Sequence, residues 1–234
     1  MKKILFMLSF LVISFISFSQ EEMEKINQEV ENIKIEKNLL DKISLKEFYK
    51  KSKLTEKIDF KIFKMAVGGY NKIKNKDKNY LIIIDFSKKS SEKRFYLINL
   101  LKGEMEAETY VAHGKNSGVE KAISFSDQPN SYKSSMGFFL TRNHYRGKYG
   151  YSIRLKGLEK EINSNAFLRG VVLHGALESE ESYLNQYGFL GRTEGCPAIP
   201  LSSVKNILTR IPKNTVLFIY GEDEKYFEKS LLIK

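Results

Sequence analysis

"GRTEGCPAIP" (residues 191–200) holds the only cysteine of a 234-residue chain. Gly191 and Gly195 strip side chains from around the sulfur, which lets a substrate and backbone N–H groups come close. Pro197 and Pro200 stiffen the exit. A thiol that serves only as a small core hydrophobe is the plain alternative. A glycine-flanked, proline-stiffened thiol is also how a nucleophile is presented. One cysteine excludes an intramolecular disulfide, so the fold rests on packing. It also speaks against a disulfide oxidoreductase, which needs a second thiol to resolve a mixed disulfide.

A cysteine nucleophile needs a base or a lowered pKa to become thiolate at neutral pH. Three histidines are available, His113, His144 and His174. His174 ends the apolar run "GVVL" and precedes Gly175, a strand end from which a side chain faces a cleft. His113 stands before Gly114 in "VAHGKNSG" and reads as a strand end too. His144 lies in the polar "TRNHYRGKYG" and is the weakest base candidate. No His-x-x-x-His pair on a helix suggests a metal site, and no cofactor is expected.

Outward from this centre the chain reads as mainly β. "YLIIIDF" (80–86), "RFYLINL" (94–100) and "ETYVAHG" (108–114) read as antiparallel strands. "GFFLTR" (137–142), "YSIRLKG" (151–157) and "GVVLHG" (170–175) continue the pattern. "TVLFIY" (215–220) is a final buried strand. Ser202 is expected to cap a helix with Val204, Ile207, Leu208 and Ile211 on one face, stopped by Pro212. Helical spacing of Ile26, Val30 and Ile33 opens the part before the strands. Ser44 with Glu47 is a capping box, and Asp59 caps a helix burying Phe60, Phe63, Ala66, Val67 and Tyr70. Gly68–Gly69 either weakens that helix end or permits close packing.

The first residues, "MKKILFMLSFLVISFISFSQ", show charge, apolar core and small residues in the order of a secretory signal peptide. The run is short for a spanning helix, which needs about 20 apolar residues, so no stable membrane span is expected after cleavage. The division expected is signal peptide 1–19, helical segment 20–65, catalytic domain 66–225 and tail 226–234. Net charge is +11, falling to +9 without Lys2 and Lys3. A basic surface outside the cytoplasm suits an acidic wall polymer or membrane surface. Nothing beyond that charge resembles a nucleic-acid module.

"VVLHGA" followed by "GRTEGCPA" resembles the catalytic signature of the L,D-transpeptidase family, the cysteine enzymes that remodel peptidoglycan stem peptides. His174-Gly175 and Thr193-Glu194-Gly195-Cys196 carry the likeness. "SSMGFF" (134–139), "VAHGKNSG" and "YSIRLKGLE" extend it, over roughly residues 66–222. The chain is similar to the divergent branch of murein L,D-transpeptidase catalytic domains.

The resemblance implies a β-sandwich or barrel domain with flanking helices. It implies an exported enzyme of the periplasm or cell-wall space. Cys196 is the implied nucleophile and His174 its base, with Gly195 and Cys196 N–H groups as oxyanion donors. The implied product is a cross-link by transfer to an amine. The alternatives are L,D-carboxypeptidase trimming through the same acyl-enzyme, and a non-catalytic wall-binding module. Carbapenem-type β-lactams are implied inhibitors. Members of the family carry an arginine two residues after the cysteine; here Ala198 stands there. Arg192, whose fork matches a carboxylate, is the first substitute, with Arg169 and Lys115 behind it. Thr193, His113, Ser135 and Gly175 complete the expected substrate-binding set. Tyr145, Tyr149 and Tyr151 are unranked contacts.

Overall fold

The computed structural model describes residues 42–234. The expected signal peptide and the first helical stretch, to residue 41, lie outside the described residues. Two helices come first, α1 (Leu45–Lys51) and α2 (Phe60–Lys72). Their caps follow from sequence. Ser44 accepts from the Glu47 N–H, and Asp59 accepts from the Lys61 N–H at 2.6 Å. On α2, Ile62, Phe63, Ala66, Val67 and Tyr70 are buried. Gly69 is needed for contact: a Cβ there would lie 2.1 Å from the Phe138 ring. Alanine at 69 would overpack the seam, at a cost of about 1–3 kcal/mol.

Eight strands follow: β1 (Tyr80–Asp85), β2 (Phe95–Asn99), β3 (Glu104–Thr109), β4 (Gly137–Gly147), β5 (Gly150–Gly157), β6 (Val172–Ala176), β7 (Ala198–Pro200) and β8 (Val216–Tyr220). Their order in the sheet is β3-β2-β1-β8-β4-β5-β6-β7. β1 and β8 run parallel, as do β6 and β7; the other neighbours are antiparallel. The two ends of the sheet approach each other. Just past β3, the Ala112 N–H donates to the Ala198 carbonyl of β7 at 2.8 Å, and the Ala198 N–H returns the bond at 3.3 Å. The result is a mainly β, nearly closed barrel-like sheet with a few helices. β2 and β8 are buried throughout and β1 along Leu81–Asp85, which is why they read as continuous apolar runs.

Two of the expected elements change. The strand expected at 108–114 is displaced to Glu104–Thr109, and residues 110–114 make only isolated bridges at Ala112 and Gly114. The strand "EMEAET" is a half-exposed edge, and its charged residues hid it. The expected helix after Ser202 is broken into 3-10 turns around a short α-helix, Val204–Ile207. Ser202 caps nothing; its N–H and hydroxyl both donate to the Glu180 carboxylate, at 2.7 and 2.8 Å. α1 and α2 share one buried cluster with the strands, and α2 runs through position 65/66. The last residues are also tied down. Tyr226 and Ser230, at the helix Glu224–Lys229, are buried and hydrogen-bond to Glu159.

Candidate active site

The parallel pairing of β6 with β7 builds the site. His174 lies opposite Ala198, and its N–H donates to the Pro197 carbonyl at 3.4 Å. Carried back two residues, that register sets Cys196 beside Val172. Two residues 22 apart in sequence therefore share one wall. Both line a cavity of about 610 Å³. Its other walls are the β4–β5 hairpin tip (Lys148, Tyr149, Gly150), the turn after β6 (Leu177, Glu178) and the segment 191–194.

His174 is buried except for this face. Its Nδ1 lies 2.9 Å from the Gly175 carbonyl, which only accepts, so the proton is on Nδ1 and Nε2 keeps its lone pair. The ring stacks on Tyr149, centroids 4.4 Å apart. Burial lowers its pKa below the ordinary imidazole value, against the Gly175 carbonyl and the Glu178 carboxylate. The free imidazole is therefore neutral at pH 7.

The thiol is partly exposed. Desolvation by the surrounding protein raises its pKa; the Val172 N–H and Arg169 pull it down, and Glu194 pushes it up. Sγ meets the Gly170 carbonyl at 3.8 Å, and no hydrogen bond joins it to the imidazole. These directions describe a neutral thiol facing a neutral base, rather than a preformed ion pair.

The turn that carries the sulfur is tied by Thr193. Its hydroxyl donates to the Cys196 carbonyl at 2.6 Å and accepts from the Gly195 N–H at 3.1 Å. Gly195 has φ +120°, and a Cβ there would stand 2.7 Å from the Lys133 carbonyl, so only glycine fits. The Gly195 N–H, expected as an oxyanion donor, is thus occupied. The Cys196 N–H has no protein acceptor among the described residues and is open to a ligand in the cavity. Glu194 is exposed and pairs with Lys115 at 3.9 Å.

Arg192 is exposed on the cavity wall, and its guanidinium makes no hydrogen bond or ion pair among the described residues. Lys115, by contrast, also packs on the Tyr132 ring. Arg169 is turned inward and held by four protein acceptors. Gly175 lines the cavity and serves through its backbone; a Cβ would lie 2.3 Å from Val204.

Two residues expected at the substrate stand behind the wall instead. His113 is fully buried: its Nδ1 meets the Arg94 guanidinium at 2.8 Å and Nε2 the Gly118 carbonyl at 3.2 Å. Burial, with Arg94, lowers its pKa to about 4. What it offers the site is its carbonyl, which accepts the Thr193 N–H at 2.9 Å. Ser135 is buried too, accepting from Arg169 at 2.5 Å and donating to the Ser126 carbonyl at 3.0 Å. Of the three tyrosines only Tyr149 reaches the cavity. Tyr151 bonds His144, and Tyr145 stacks on Arg154. Lys148 and Glu178 escaped the sequence reading, and Tyr149 stood there unranked, because only the folded hairpin and turn bring them to the cavity.

Residues 54–220 match the family model described as L,D-transpeptidase catalytic domain. No curated protein matches the chain. Among solved structures, an L,D-transpeptidase from Mycobacterium smegmatis is 11% identical, with TM-score 0.39, covering 61% of this chain and 59% of that one. An L,D-transpeptidase in complex with imipenem is 13% identical, with TM-score 0.39 and 61% and 59% coverage. The catalytic domain of an Enterococcus faecium L,D-transpeptidase is 14% identical, with TM-score 0.37 and 62% and 98% coverage. The chain thus spans about three fifths of the first two.

Proposed function

The chain belongs to the L,D-transpeptidase catalytic-domain family, and from that premise we propose that it is an exported cysteine acyltransferase acting on peptidoglycan stem peptides. The observation that carries the reading is one cavity wall bearing both the Cys196 thiol and a His174 whose Nε2 is unprotonated. The export reading rests on the amino-terminal stretch, and the excess of Lys and Arg over Asp and Glu suits an acidic wall polymer.

Cys196 turns about its Cα–Cβ bond, away from the Gly170 carbonyl, as the substrate enters. Its sulfur attacks the carbonyl between the L-centre of a diamino acid and the terminal D-residue. His174 Nε2 takes the thiol proton, and the C–S bond forms. The oxyanion accepts from the Cys196 N–H. The C–N bond then breaks, and His174 returns its proton to the departing D-amino acid. An amine of a second stem peptide attacks the thioester, loses its proton to His174 and expels the sulfur. Water in the same step yields a trimmed stem. Arg192 holds a substrate carboxylate, to which its free fork is matched.

Mass spectrometry after exposure to a stem tetrapeptide, or to a carbapenem, tests this. The expected adduct is on Cys196, is lost in Cys196→Ala, and forms about 10²–10⁴-fold more slowly in His174→Ala. No adduct, or one on another residue, ends the reading. Cross-linked dimers indicate transfer; tripeptide alone indicates the carboxypeptidase. A wall-binding module would keep its function in Cys196→Ala.

A further inference from the structure

Arg169 is half-buried directly behind the Gly195–Cys196 turn. Its Nη1 donates to the Ser126 carbonyl at 2.7 Å and to Ser135 Oγ at 2.5 Å; its Nη2 donates to the Lys133 carbonyl at 2.9 Å and to Ser131 Oγ at 3.3 Å. All four acceptors lie in one segment, 126–135. That segment supplies the shelf against which the bare Cα of Gly195 rests: a Cβ there would sit 2.7 Å from the Lys133 carbonyl and 3.4 Å from Arg169 Nη2. One guanidinium therefore binds the shelf and lies beneath the turn that carries the sulfur.

The nature of the acceptors matters as much as their number. All are carbonyls and hydroxyls. Asp127, the carboxylate nearest in effect, gives its oxygens to the Asn165 N–H and the Ser164 hydroxyl rather than to Arg169. The arginine is solvated by neutral groups, so its charge is not cancelled by a contact ion pair.

We propose that Arg169 is the positioning residue of this site, holding the 126–135 shelf under the Gly195–Cys196 turn and directing an uncancelled positive charge at the Cys196 sulfur. This rests on Cys196 being the nucleophile, as proposed above. Arg169 counters the desolvation of the thiolate, and burial on its own side holds its pKa below the ordinary arginine value without removing its charge at neutral pH. The other ionisable groups around the sulfur are Glu194 on its own turn, which opposes Arg169, and His174 on the same cavity wall. Lys115 is drawn to Glu194, and Asp127 acts on Arg169.

With one cysteine in the chain, alkylation by iodoacetamide against pH reads the Cys196 pKa with no substrate present. Arg169→Gln keeps hydrogen-bonding groups and removes the charge. Its thiol pKa is expected to rise by about one unit or more, about tenfold less thiolate at neutral pH. Arg169→Lys keeps the charge and is expected to stay within about half a unit of the wild type. An unchanged pKa in a folded Gln variant overturns the proposal. If that variant does not fold, a full-unit rise in the Lys variant overturns it instead. A purely structural role would lower stability in both variants and leave the thiol pKa alone. Because alkylation needs no stem peptide, a shifted thiol in an enzyme that forms no stem-peptide adduct would remove the acyl-transfer reading and leave only the coupling of Arg169 to the Cys196 thiol.

Discussion

Replacing Thr193 by valine exchanges one hydroxyl for one methyl and keeps the β-branch. The hydroxyl lost is the one that ties the turn bearing Cys196, donating to the Cys196 carbonyl at 2.6 Å and accepting from the Gly195 N–H at 3.1 Å. A net contribution of about 0.5–1.5 kcal/mol per bond bounds the loss at about 1–3 kcal/mol. Thr193 is only half-buried, so water replaces part of this, and about 1–2 kcal/mol is the working figure. Spent entirely on the geometry of the reactive turn, that is about a 5–30-fold slower acylation. Single-turnover carbapenem acylation, followed by intact mass, measures the rate; urea unfolding measures stability. Thr193→Ser restores the hydroxyl and is expected within about twofold of the wild type. Wild-type speed in Thr193→Val would refute the claim that this hydroxyl sets the turn. A faster rate would show that the freed Gly195 N–H serves the oxyanion after all.

The acid limb of kcat/KM is expected to fall at a pH below the ordinary imidazole value of about 6.5, because burial lowers the His174 pKa and the base must be unprotonated; a limb at or above pH 7 would contradict a neutral His174. His113, held neutral in the fold with a pKa of about 4, ties stability to pH. The unfolded chain binds its proton near pH 6.5, so stability is full above that value and is lost as pH falls towards 4, at about 1.4 kcal/mol per unit and about 3 kcal/mol in all. Urea midpoints at pH 7, 6 and 5 should fall more steeply for the wild type than for His113→Asn; parallel slopes would dismiss the linkage. Arg192→Gln should raise KM about tenfold, the low end for an exposed charged hydrogen bond, and leave stability within about 0.5 kcal/mol. An unchanged KM would free Arg192 from the substrate.

Much of the site was legible because glycine, proline and a solitary thiol mark unusual backbone. Gly195 reads as a bare position beside the sulfur, and the structure adds a second reason for glycine, a φ of +120°. His174-Gly175 reads as a strand end, whereas β6 runs on through Gly175 to Ala176 and holds His174 at its middle. The helix caps at Ser44 and Asp59 were legible for the same reason: they are local bonds between residues two or three apart. His113 misled because "VAHG" has the same strand-end pattern as "VLHG". What separates them is Arg94, 19 residues upstream, whose guanidinium meets one imidazole and not the other. β3 and β7 were missed because one is charged and the other is three residues long.

The alternation of strands and turns, the two helix caps and the choice of Cys196 and His174 as the candidate pair can be read from the residues alone. These are properties of short range, set by backbone sterics and by burial periodicity. Only tertiary structure decided which walls meet: the parallel seam that sets Cys196 beside Val172, the Gly175 carbonyl that fixes the imidazole proton, and the hairpin that lays Tyr149 on His174. It also decided that Arg169 faces inward while Arg192 stays free. Desolvation and charge depend on distances through space between residues far apart in the chain, and a linear pattern carries no such distances.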